Sequence, residues 1–281
     1  MNDKDKSLIT SGSEQSDAVE DIKKELEATA PSKKKRIFQK FALAALGSIP
    51  WVGGFISAAV SLKTDEGDIN ANNLQTQWLE EHETKMNKLG NTMSEIGARF
   101  EALGEEIDER IQSEEYLDIV RKAFRAWDSA DTDEKRGYVA NLIANSAGTR
   151  LCSDDVVRLF IDWLSLYHEA HFAVIREIYK NLGVTRYDIW EELYGETPRE
   201  DSAEADLYKL LIRNLSMGGV IRQDRETNYH GQFVKKKAQR GDSSSGTMES
   251  AFERTKPYVL TELGKQFVHY TMSDVVKRIE G

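Results

Sequence analysis

The sequence predicts a mainly α protein: an N-terminal apolar hairpin-like segment, a long heptad helix, a helical domain and a C-terminal winged-helix-like domain. Three observations predict it. Met86, Leu89, Met93, Ile96, Phe100, Leu103 and Ile107 recur at alternating spacings of three and four, the a/d seam of a heptad helix. Between residues 114 and 200, further apolar stripes of helical period are separated by Asp, Ser, Thr and Gly, the residues that cap and stop helices. In the last 80 residues two short strand-like runs, Val220-Ile221 and Tyr258-Val-Leu-Thr261, stand on either side of a long polar stretch.

Composition bounds the chain before any motif does. Its 281 residues suffice for two modest domains. A net charge of −10 and a pI near 5.2 argue against a general binder of nucleic acid or membrane surfaces. The single cysteine, Cys152, excludes an intramolecular disulfide and suits a reducing cytosol.

Residues 1–35 are polar and are expected to form a disordered or weakly helical tail. Residues 36–63 follow as an apolar, membrane-competent segment. Phe41 to Leu62 is an uncharged run of 22 residues in a chain that is 31% charged, and Lys33, Lys34, Lys35, Arg36, Lys40 and Lys63 flank it. A membrane helix needs about 20 apolar residues, so the length is near threshold. Pro50, Gly53 and Gly54 break it into a helix through Gly47 and a second from Phe55 to Leu62, each too short to cross alone. About 40 polar residues precede it, unlike a signal peptide. Two readings stand. In one the segment is a kinked or re-entrant lipid segment with Phe41, Leu43, Leu46, Ile49, Trp51, Val52, Phe55, Ile56 and Val60 as its membrane contacts. In the other it is a helical hairpin buried in the core.

Residues 64–73 read as a linker, and the heptad helix is assigned to 74–113. Gly90, Gly97 and Gly104 share its period and fall on one edge of the seam. Each glycine costs a helix roughly 1 kcal/mol against alanine, so three in register suggest that another helix packs closely there, within the chain or between subunits. The alternative is a weakened helix. In the helical domain, 114–200, Leu117, Val120, Phe124 and Trp127 begin a new stripe. Asp131 to Asp133 marks the start of a helix that ends at Gly148, and Ser153 to Asp155 starts another. The latter is read as continuing through Tyr179, with Asn181 and Gly183 as its stop. In the last domain, 201–281, a helix over Leu207–Met217 leads through Gly218 and Gly219 to a strand at Val220 and Ile221. A strand at Tyr258–Thr261 returns to a final helix capped by Thr261.

No persuasive catalytic constellation emerges: there is no phosphate-binding glycine loop, no G-x-S-x-G and no H-E-x-x-H. No enzyme activity, metal or cofactor is therefore expected. His168 and His171 lie three apart, but two histidines without a third ligand read as surface or interfacial residues. Cys152 reads as a structural thiol. The distinctive polar feature is the wing. Lys235, Lys236, Lys237 and Arg240 sit there without an acid among them, beside Tyr229 and Phe233, which are suited to stacking on bases. These four cations are the candidate contacts to an anionic partner. The preceding helix offers only Lys209 and Arg213 after Glu204 and Asp206, which weakens a duplex-reading role.

Three stretches resemble a bacterial family, the abortive infection proteins of alpha type. They are Asp133–Arg136 with the Asn141-Leu-Ile-Ala-Asn145 run, Leu211–Leu215 through Val220 and Ile221, and Tyr258–Phe267 with its Leu-Thr-x-x-Gly-x-x-Phe pattern. The resemblance covers roughly Tyr116 to Tyr270 and does not extend to the apolar segment or the glycine heptads. It implies a phage-defence protein and carries over no site residues. The first reading is accordingly an anti-phage protein, cytoplasmic and associating with or inserting into the inner membrane through its apolar segment. Its C-terminal domain would sense a phage or host trigger. The partners expected are inner-membrane lipid, further copies of the chain in a homo-oligomer and, through the wing, nucleic acid. The alternative is a cytosolic winged-helix regulator or nucleic-acid-binding module whose apolar segment lies in its own core.

Overall fold

The computed structural model describes residues 32–54, 69–225, 228–230, 232–234 and 250–272; the side chains of residues 32–36, 69–79 and 81 lie outside that description. The polar tail up to residue 31, the second apolar half with Phe55, Ile56 and Val60, and the wing cations Lys235, Lys236, Lys237 and Arg240 all lie outside the described residues. Within them the protein is mainly α, as the periodicities predict. The chain divides into two compact units, the first comprising residues 1–165 and 270–281, the second 166–269. The division falls at Ser165, not near residue 200.

The first unit is a helical bundle. Its elements are α1 (Ser32–Gly47), α2 (Ile69–Leu103), a 3-10 turn (Gly104–Ile107), α3 (Asp108–Gln112), α4 (Glu114–Ser129), α5 (Asp133–Gly148) and α6 (Asp154–Leu166). Residues 50–54 form a further helical turn after the break at Ser48 and Ile49. Sequence explains the starts: Ser113 accepts from the Tyr116 amide at the head of α4, and Thr132 accepts from the Lys135 amide at the head of α5.

The heptad seam is buried inside this unit. Met86, Leu89, Met93, Ile96, Phe100 and Ile107 are buried, with Leu103 half-buried, and α2 packs along α5. Helix α1 packs on α4 and α3, so the seam and the first half of the apolar segment close one core. Phe41, fully buried, meets the rings of Phe100 at 5.2 Å and Phe124 at 6.1 Å. Asn141 and Asn145, four apart on α5, donate to the carbonyls of Thr271 (2.8 Å) and Tyr270 (3.0 Å). They satisfy carbonyls that a helix end leaves without intrahelical donors.

The second unit holds α7 (Glu169–Lys180), α8 (Arg186–Tyr194), α9 (Ala203–Met217), β1 (Ile221–Gln223), β2 (Tyr258–Leu260) and most of α10 (Glu262–Thr271). The two strands pair antiparallel, Arg222 opposite Val259. Helix α7 packs on α8, α9 and β2. The single helix expected from Val156 to Tyr179 is two. The apolar stripe runs on through Phe172, but the chain turns at Tyr167 and His168, where the His168 amide donates to His171 Nδ1 at 3.1 Å. The Leu-Thr-x-x-Gly-x-x-Phe run has a packing reason. Thr261 Oγ1 donates to the Gly219 carbonyl (2.6 Å) and accepts from the Gly264 amide (2.9 Å). A Cβ on Gly264 would lie 2.1 Å from the Val220 carbonyl oxygen, so only glycine fits there.

Candidate anion-binding cleft

In the second unit, α9, β1 and the loop after β1 enclose an open cleft of about 630 Å³. Lys209, Ile212, Arg213, Ser216 and Met217 enter it from α9. Their spacing of i, i+3, i+4, i+7 and i+8 sets them on one helix face. Strand β1 contributes Ile221, Arg222 and Gln223, and the loop beyond it Arg225 and Phe233. Arg186 and Tyr258 complete the lining.

Each of these is held locally. Thr185 caps α8: its hydroxyl oxygen accepts from the Asp188 amide at 3.3 Å, and Asp188 Oδ2 accepts in return from the Thr185 amide and hydroxyl, each at 2.8 Å, which fixes the start of the helix at Arg186. Arg186 donates from Nε (3.1 Å) and Nη2 (2.7 Å) to the Tyr258 hydroxyl, and from Nη1 to the Ser250 carbonyl (3.3 Å). Its own carbonyl accepts from the Tyr208 hydroxyl at 2.7 Å. Tyr208 stays protonated, because burial pushes its phenol far upward. Asn228 accepts the amides of His230 (3.0 Å) and Gln232 (2.9 Å) and shapes the turn before Phe233, a short asparagine device that replaces backbone partners. The Arg222 guanidinium then sits 5.1 Å from the centre of the Phe233 ring.

Electrostatically the cleft is one-sided. Among the described residues, Arg186, Lys209, Arg213, Arg222 and Arg225 line it and no carboxylate does. Lys209 lies 3.3 Å from Glu200. For Glu200 burial works upward, but the Ala251 amide, the Ser250 hydroxyl and Lys209 outweigh it and hold the carboxyl below its ordinary range. Among the described residues no carboxylate pairs with Arg186, Arg213, Arg222 or Arg225. Concave, low-dielectric surroundings focus such a field.

The sequence pointed to Lys209, Arg213 and Phe233 but missed Arg186, Arg222 and Arg225. Arg222 and Arg225 stand next to the predicted strand in the run Ile221-Arg-Gln-Asp-Arg225, a signal available in principle. Arg186 arrives from a different helix, 36 positions before Arg222, with no local sign. Tyr229 is fully exposed in the loop.

The residues expected to contact lipid are divided. Phe41, Ile49 and Val52 are buried in the first unit, Leu46 and Trp51 are half-buried, and Leu43 is 72% exposed. Among the described residues, α1 packs against α4 and α3, which is where Phe41 finds its burial. Among the described residues, no helix is long and apolar enough to cross a membrane. Trp51 donates from Nε1 to Asp128 at 2.7 Å, Lys85 pairs with the same oxygen at 2.7 Å, and His82 lies beside the indole.

Of the three seam glycines, Gly97 approaches another helix: a Cβ there would meet the Phe38 ring of α1 at 3.3 Å. Gly104 does not pack as an edge residue; it takes φ +77° and starts the 3-10 turn that ends α2. Gly90 is half-buried within α2. His171 is used at the head of α7, and among the described residues no group of three metal-capable side chains assembles. Burial pushes the Cys152 thiol up, away from reactivity. Compared with family models, with curated proteins and with solved structures, this chain matches none of them.

Proposed function

We propose that this protein is a nucleic-acid-binding component of bacterial phage defence, with its second unit gripping a phosphate backbone in the α9–β1 cleft. The observation that carries the reading is the convergence of five cations, with no lining carboxylate among the described residues, in a chain of net charge −10. The helix–strand–strand–helix order supports a winged-helix-like use of α9 and the wing. The resemblance to abortive infection proteins supports the setting.

The test is binding of a labelled oligonucleotide across a salt series. Wild type should bind, with log K falling linearly in log salt concentration. Arg213→Ala should weaken binding and flatten the slope by about 0.7–0.9, one phosphate contact. Absence of binding to any nucleic acid overturns the reading.

A second reading has one observation in its favour. The apolar segment is fastened at Trp51 by the polar cluster of Asp128 and Lys85, which resembles a latch more than a seal. In that reading the latch opens after infection and the segment enters the inner membrane.

A further inference from the structure

We propose that the cleft takes an unpaired nucleotide, its phosphate held by the arginines and its base stacked on Phe233. This rests on the nucleic-acid reading above and adds the class of strand. Three features lead to it. First, the lining is not only cationic: Ile212, Met217, Ile221 and Phe233 give it an apolar part, which a phosphate alone does not need. At about 630 Å³ it falls within the roughly 300–1,000 Å³ of pockets that enclose small organic ligands.

Second, Phe233 is 52% exposed although it lies against Arg222. An aromatic ring backed by a guanidinium and open to solvent on its remaining surface is a stacking platform. Every base has a π-face, so the platform is sequence-tolerant. A base inside a duplex has both faces covered by its neighbours and cannot use it.

Third, the donors are prepared before the ligand arrives. Arg186 spends three of its five N–H groups on Tyr258 and Ser250, which fixes the guanidinium and leaves two. Arg213, exposed on α9, has no carboxylate partner among the described residues. A rigid inner arginine and an outer one suit successive phosphates of a strand, or the phosphates of a free nucleotide.

The experiment uses the full chain and four probes: single-stranded DNA and RNA of about 20 nucleotides, the matching duplex, and ATP as competitor. Anionic phosphatidylglycerol vesicles form a fifth arm. Single strands should bind at least about tenfold tighter than duplex, and Phe233→Ala should weaken them by about 5- to 150-fold, the range of one base stack. Phe233→Trp should restore binding, which a merely structural role of the phenyl group would not allow. Displacement of the strand by ATP at micromolar concentration assigns the cleft to a free nucleotide; failure to displace assigns it to a strand. Equal affinity for duplex, with Phe233→Ala without effect, overturns the unpaired-base inference and leaves the backbone reading standing. Binding to none of the nucleic acids, or to vesicles alone, overturns both.

Discussion

Asp154 shows how much one side chain can be asked to hold in the first unit. It receives two hydrogen bonds from Arg110, at 3.0 Å from Nη1 and a shorter one from Nη2, and that arginine also lies over the Tyr116 ring. Hydrogen bonding from Arg110 holds the carboxyl below its ordinary value of 3.8. A folded-state value below the unfolded one means that the pair stabilises fully above about pH 4 and loses its contribution as pH falls through the lower folded value. Asp154→Asn should therefore lower the melting temperature at neutral pH and flatten its fall below pH 3.8. A melting series in acid checks this; parallel curves for the two proteins would exclude the pair as an acid-labile tie. Residue roles of this kind were partly legible. Asp154 was readable as a helix start, but its partner, 44 positions earlier, was not. Asn141 and Asn145 stood out in the sequence through a family resemblance, and their work is the capping of a distant helix end, which no local pattern announces.

Elements were more legible than residues, because period is a local property. The three-and-four spacing gave the seam of α2, and its members are buried as a face should be. What the pattern left open was the partner; within the chain it is α5. Glycines were ambiguous for a physical reason: one residue type serves both close approach and positive φ. Gly97 serves the first and Gly104 the second. Gly97→Leu should gain roughly 1 kcal/mol of helix propensity yet lose more by forcing the Phe38 ring out of place, a net destabilisation of about 1–2 kcal/mol. Denaturant unfolding reads it, and a more stable variant would show that α1 yields freely. Gly104→Ala should cost about 1 kcal/mol through φ alone, with no change in packing. The split between α6 and α7 was not legible, since the apolar stripe crosses it and the turn depends on a histidine side chain.

At the scale of the whole molecule the open question of the sequence was where Phe41 to Leu62 goes. Its composition fits lipid and core equally, because a bilayer and a protein interior select the same side chains, and only tertiary contacts decide between them. Phe41, Ile49 and Val52 have those contacts, and Trp51 is tied at the rim by Asp128. Asp128→Ala separates the two uses of the segment. It leaves the Trp51 N–H without its acceptor and Lys85 without its partner, which should cost about 1–3 kcal/mol of stability. If the segment belongs to the core, the urea midpoint should fall by that amount and the folded variant should float with anionic vesicles no more than wild type does. If Asp128 is a latch over a releasable lipid segment, vesicle binding should rise at temperatures well below unfolding, and adding Val52→Asp should reverse it, since a mid-bilayer charge costs roughly 3 kcal/mol on insertion scales. The burial of Phe41, Ile49 and Val52 leads us to expect the first result: a lower midpoint without flotation.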